Sequence, residues 1–319
     1  MLASQRLNSL GDAMRIVPVA LALFLGASSA GAQDYPCSQI KLVVPYPAGG
    51  ATDVASRIVA ERLDAVFKKP FFVENRGGAT GNIGTVAVVT APPDGCTLLV
   101  NATIIATKDL APVGAVGVTP TLIVAAPSIP ANDIKGLVEW SKTKPDGRNY
   151  STAGYGLQQH LASEEIAQRT GAKFAHVAYR GGGTAMTDLI AARLDFGGFL
   201  AGTTKPLIAS AQLKGLAIVA DKRSELVPDI PTTTEQGLPG MNSHGVHFMI
   251  FAPAATPKAV VAMLGVELKK IIAEPELNQR FAGIGFDATP MTADEVAAAM
   301  RKTEADLSPV IKRLNIKLD

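Results

Sequence analysis

The 319-residue sequence has one tryptophan, two cysteines and only 5% aromatic residues. It also lacks a dominant charge sign: 30 Lys and Arg stand against 28 Asp and Glu, a net charge of +2. No basic run or aromatic-interleaved basic stripe occurs, which argues against a nucleic-acid surface. Beyond residues 16–27 no apolar run is long enough to suggest a membrane span. The common catalytic signatures are missing as well. There is no phosphate loop for nucleotide hydrolysis and no G-x-S-x-G elbow. HExxH, C-x-x-C and EF-hand patterns are absent, and neither cysteine has catalytic surroundings. No enzyme class is indicated, and no cofactor or metal is expected. Four histidines are scattered: His160, His176, His244 and His247. His244 and His247 have a helical metal-ligand spacing, but the local pattern is strand and loop, so they read as surface or pocket residues. Glu164 and Glu165 are adjacent on a helix, point apart, and read as a solvated face. Trp140 falls on an amphipathic helix and reads as packing.

What is present is a globular chain. Hydrophobic content is 47% and mean hydropathy +0.22, and the length suits two domains. Arg15, the apolar run 16–27 and the small residues Ala30-Gly31-Ala32 form an export signal with an A-x-A cleavage site. Residues 1–32 are therefore read as a signal peptide, and the mature protein as exported to the periplasm. The run is too short for a transmembrane helix, and no stop-transfer pattern follows it. In an exported chain, two and only two cysteines invite a Cys37–Cys96 disulfide over two buried thiols.

The body alternates strand and helix patterns. Strands are read at 41–46, 71–75, 97–102, 121–126, 149–153, 174–179, 195–200, 213–220 and 247–254. Helical stretches lie between them, and the last sixty-odd residues read as helices with breaks at Pro275 and Pro290. This alternation predicts an α/β fold of parallel sheets with helices on both faces.

The organising stretch is VVPYPAGGATD, Val43 to Asp53, where a strand enters a Gly pair and a helix begins at once. Glycine admits close backbone approach, and a helix start offers N–H groups and partial positive charge to an anion. Alone, Gly49-Gly50 is as readily a tight turn. The design recurs in STAGYG, Ser151 to Gly156, in AYRGGGT, Ala178 to Thr184, and more weakly in ENRGGATGNIG, Glu74 to Gly84. Several such loops at strand ends favour an anion pocket over unrelated turns.

The runs IKLVVPYPAGGATDVASRIVAERL, FFVENRGGATGNIG, APPDGCTLLV, NYSTAGYG, HVAYRGGGTAMTDLIAARLD, DIPTTTEQGLPG and FAPAATPKAVV resemble the substrate-binding receptors of tripartite tricarboxylate transporters, the Bug receptors. The likeness spans nearly all of the mature chain. It implies a two-lobe periplasmic binding protein fold, type II-like, with a ligand cleft between lobes and no catalysis. It also implies a small carboxylate ligand and a membrane permease as partner, with the receptor a monomer. Three departures from the family fall where ligand identity would be set: a shortened segment after Thr107, His247-Phe248 before the final crossing strand, and GGFLAG with Phe199.

The chain is expected to cross between lobes near 121–127 and 244–252. One lobe would hold 33–122 plus 250–319 and the other 123–249. The ligand carboxylate is expected to take backbone N–H groups of Ala48, Gly49, Gly50 and Ala51, in the loop entered through Tyr46 and Pro47. From the other lobe Ser151, Thr152, Ala153 and Gly154 would contribute, with Gly181, Gly182, Gly183 and Thr184. Tyr155, Tyr179, Phe199 and Phe248 would wall an apolar ligand part or belong to the lobe cores. Arg180 would face the pocket or the solvent. Asp53 would cap its helix first and touch ligand second. A receptor that hands its closed form to a sensor protein, or less readily an α/β enzyme, remains the alternative.

Overall fold

Isoleucine, leucine and valine dominate β1 (Ile40–Val44), and four of its five residues are buried. Such a run suits a strand covered on both faces, and β1 lies between two neighbours in its sheet. The computed structural model describes residues 35–316, apart from 79–80, 102–107 and 180–181, and residues 36–319 cluster as one compact unit. Residues 1–32, read as a signal peptide, and residues 102–107, just before the shortened segment, thus lie outside the described residues, as do Arg180 and Gly181, whereas Lys108 and Asp109 lead directly into the strand at Leu110–Thr119.

β1 leads into α1 (Ala51–Phe67), followed by β2 (Phe71–Asn75), α2 (Asn82–Val89), β3 (Thr97–Asn101) and β4 (Leu110–Thr119). Next come β5 (Thr121–Ala125), α3 (Ile134–Lys142), β6 (Arg148–Ser151), α4 (Gln158–Thr170) and β7 (Phe174–Val177). They are followed by α5 (Gly182–Ile190), β8 (Phe196–Leu200), α6 (Ala201–Ala209) and β9 (Lys214–Ile218). A short 3-10 turn, Asn242–His244, precedes β10 (Val246–Pro253), α7 (Lys258–Ile272), α8 (Pro275–Gly283), β11 (Asp287–Met291) and α9 (Ala293–Arg313).

The strands form two sheets, one six-stranded in the order β11-β4-β10-β3-β1-β2, the other five-stranded in the order β7-β6-β8-β5-β9. Each is mixed, which corrects the expectation of parallel sheets. β1 runs parallel to β2 and β3, but β10 is antiparallel to both β3 and β4. In the second sheet β6 is parallel to β7 and β8, whereas β5 is antiparallel to β8 and β9. The reason is connectivity: the chain leaves the first sheet at the end of β4, passes through Pro120 into β5 of the second sheet, and returns to the first as β10 beside β4. Thr121 Oγ1 donates to the His244 carbonyl at 2.7 Å, tying the outgoing and returning segments together.

Two strands were not expected. β4 carries Pro112, Gly114 and Gly117, and β11 lies in the tail read as purely helical. Two further readings are corrected. His244 is a buried residue whose Nε2 sits 2.7 Å from Glu165 Oε2, so neither it nor Glu165 belongs to a solvated surface. Glu164 Oε1 accepts the Tyr150 hydroxyl at 2.7 Å. Charged neighbours of a buried strand and a crossing turn are recruited inward because each polar group there needs a partner.

The second sheet has a core built on β5, β8 and β9 with Tyr150 and Phe196. The first has a core of Val43, Val88, Leu99, Met249 and Phe251, sealed by Val296 and Met300 of α9. Further along α9, Leu307 and Val310 pack on Leu161 of α4. Thr292 and Glu295 start α9 with a capping box. Cys37 and Cys96 are bonded, with Cα atoms 5.6 Å apart, because the register pairs Lys41 with Thr97. Closing that loop stabilises the fold by about 4 kcal/mol in the chain-entropy model.

Candidate functional site

The loop after β1 is held from inside. Asp53 is 3% exposed, and its carboxylate accepts the Gly49 N–H at 2.9 Å and pairs with Arg57 at 2.9 Å. Burial pushes the Asp53 carboxyl up, but the bonds from Arg57, Gly49 and Asn75 outweigh it, so the group stays below the usual carboxylate range. Gly49 has φ +81°, where a side chain would be strained. Gly84 packs against Pro45 so closely that a Cβ would lie 2.8 Å from the proline ring. Gly84 therefore supports the entry to the first loop from behind. Gly50 then starts α1 with no side-chain cap.

The second loop rests on aromatic rings. His160 and His176 have ring centroids 4.3 Å apart, and the Tyr155 ring lies 4.6 Å from His160, tilted by 38°. Gly156, at φ +79°, donates its N–H to His160 Nδ1 at 3.2 Å. Thr152 Oγ1 sits 3.2 Å from His176 Nε2. Burial pushes both imidazoles down to about 4. Beyond this loop Leu157 starts α4, again with no side-chain cap. α5 begins at Gly182, where an added Cβ would lie 3.6 Å from the Ala153 Cβ. α6 follows β8 without an intervening loop, and its N-cap Leu200 also lacks a side-chain cap.

These four helix starts border one cleft of about 470 Å³. Tyr46, Gly50, Ala51, Ala153, Gly182, Gly183, Phe199 and Phe248 line it among the residues expected from sequence. Pro47, Ala48, Gly49, Asp53, Ser151, Thr152, Gly154, Tyr155, Tyr179 and Thr184 do not. Asp53 works behind the loop, Ser151 and Thr152 are buried, and the Tyr179 hydroxyl donates to Asp188. Tyr155 is exposed and donates to the Leu314 carbonyl. Phe199 and Phe248 belong both to the wall and to the packed interior: each is under 4% exposed, and Phe248 packs on Phe286 at 4.3 Å. His247 does not line the cleft.

Sequence reasoning missed Thr52, Leu157, Gln158, Gln159, Met186, Leu200, Thr203 and Val246. The Leu200–Thr203 wall could have been found from the strand pattern DFGGFL running straight into a helical one. No described lining residue carries a formal charge, so the polarity of the cleft comes from helix starts, amides and hydroxyls.

Residues 55–316 match the family model described as tripartite tricarboxylate transporter family receptor. BugT of Bordetella pertussis is 30% identical over 313 residues, 88% of this chain and 94% of that protein. A UPF0065 protein of Bordetella bronchiseptica is 30% identical over 97% of this chain and 95% of its own length. Among solved structures, periplasmic binding protein BugD superposes with a TM-score of 0.74 at 29% identity, covering 89% of this chain and 99% of that one. An R. palustris protein solved with adipate gives 0.78 at 26% identity, covering 88% and 98%. The fold is thus the two-lobe periplasmic binding protein fold, and the chain belongs to the receptor family of the tripartite tricarboxylate transporters.

Proposed function

We propose that this receptor is exported to the periplasm by residues 1–32, captures a small organic carboxylate as a monomer, and delivers it to the membrane permease of a tripartite transporter. No chemistry on the ligand belongs to this reading. The lobes of this reading are 33–122 plus 250–319, which hold most of the first sheet, and 123–249, which hold most of the second. The observation that carries the proposal is the convergence of the starts of α1, α4, α5 and α6 on one cleft without a charged side chain among its described lining residues. A carboxylate has only acceptors, and helix starts supply donors. Charge-assisted hydrogen bonds contribute ~1.5–3 kcal/mol each, so a few suffice for micromolar binding, ~8 kcal/mol. Donors from both lobes meet the ligand together only when the cleft is closed, so binding favours closure. The R. palustris relative solved with adipate supports the ligand class.

Gly182 offers the test. A Cβ there meets only the Ala153 methyl at ordinary contact distance, so the backbone tolerates a side chain, and leucine would extend into the cleft. Calorimetry with adipate, then with a panel of mono- and dicarboxylates, should find an acid that binds the parent. Gly182→Leu should abolish that binding while its circular dichroism and melting temperature stay close to the parent's. Equal affinity in the variant would place the site elsewhere.

A further inference from the structure

Gln159 stands in the first turn of α4 and is 3% exposed, yet its side-chain oxygen Oε1 has no hydrogen-bond partner. Of the described residues with an unpartnered buried side-chain atom, it alone lines the cleft. Its position is fixed by packing. Gly198 of β8 lies directly beneath: a Cβ there would be 2.9 Å from the Gln159 carbonyl and 3.2 Å from its Cβ. The bare glycine lets the first turn of α4 settle onto the sheet. Ser163 Oγ then donates to the Gln159 carbonyl at 3.0 Å. A buried polar group without a partner is unfavourable, so such a group in a binding cleft is matched by the ligand.

We propose that Gln159 is a specificity-determining residue, and that the ligand is a hydroxylated carboxylate whose hydroxyl bonds the Gln159 carboxamide. The proposal rests on the carboxylate reading of the cleft. A hydroxyl answers either orientation of the amide, since it donates to oxygen and accepts from nitrogen. An ammonium group would find no counter-charge among the described lining residues. A second carboxylate has no proton to give to Oε1. Leu157, Met186 and Phe248 provide apolar walls for the carbon skeleton.

The test uses matched acids that differ by one hydroxyl: butanoate with 3-hydroxybutanoate, benzoate with 4-hydroxybenzoate, and phenylacetate with mandelate. In at least one pair the parent should bind the hydroxylated member about tenfold more tightly, the worth of one good hydrogen bond. Gln159→Leu should bring that ratio to within about twofold. Its ligand-free melting temperature should be unchanged or raised, because an unpaired buried group has been removed. A lowered melting temperature with an unchanged ratio would make Gln159 a structural residue and overturn the proposal. So would acids that bind the parent with no hydroxyl preference in any pair. If none of these acids, nor adipate, binds the folded parent, the carboxylate reading itself fails and this proposal with it.

Discussion

His160 and His176 lie beneath the loop that brings Ala153 and Leu157 into the cleft. Burial lowers His160 from 6.5 to about 4; for His176 burial acts first, His160 adds to it and Glu164 opposes it. The geometry demands the neutral form, since His160 Nδ1 accepts the Gly156 N–H and must carry no proton. The sign follows. The unfolded chain binds protons near 6.5 and the folded chain only near 4, so stability is full above 6.5 and falls as pH drops toward 4. For His160 alone the loss between pH 7 and pH 5 is about 2 kcal/mol. Urea unfolding of the parent and of His160→Gln at both pH values should show a smaller fall in the variant by about that amount. Equal falls would remove His160 from the pH dependence. Asp53 acts in a lower window: its contribution is present above the ordinary 3.8 and is lost only as pH falls through its depressed folded value.

At the scale of elements, the glycines that hid β4 are the ones that make it fit. A Cβ on Gly114 would lie 2.9 Å from a Leu268 methyl, and one on Gly117 would lie 2.9 Å from the Asp287 carbonyl of β11. Glycine weakens a strand and marks close backbone approach, so a strand built around Gly114 and Gly117 reads as a loop. Gly117→Val should therefore force β11 from β4 and destabilise the chain by about 1–3 kcal/mol in urea unfolding, despite valine's preference for strands. A neutral or stabilising result would show that β11 can give way. β11 itself was illegible because DATPM carries a proline and pairs only at an edge, with a register shift between Ala288 and Met291. The strands and helices with regular apolar spacing were legible, as were the glycine loops that bring Gly50, Gly182 and Gly183 to the cleft. Gln159 was not: nothing local in GLQQHL distinguishes a helix-start glutamine over a cleft from a solvated one. Its placement depends on Gly198, which is 39 residues away in sequence.

Across the whole molecule, contacts join the two sheets at several points. The Thr121–His244 bond ties the crossings, and Ser243 donates to Asp306 of α9. Ser224, from the segment after β9, bonds Asp287 of β11 at 2.9 Å. A backbone contact stands apart from these. Gly285, in the turn after α8, meets Gly202 in the first turn of α6 so closely that a Cβ on Gly285 would lie 1.9 Å from the Gly202 Cα. Both partners are backbone, so neither can swing aside. If closure of the cleft is what brings Gly202 and Gly285 together, alanine at 285 should burden the closed form more than the open one. Gly285 also has φ +80°, which charges alanine about 1–2 kcal/mol in either form. Gly285→Ala should thus unfold with only that modest loss in the ligand-free state. Its affinity for whichever carboxylate binds the parent should fall by about tenfold or more, the cost of disfavouring the competent closed form. The opposite pattern, a stability loss of several kcal/mol with affinity intact, would mean that Gly202 and Gly285 are a permanent packing contact and that closure of the cleft turns about some other seam.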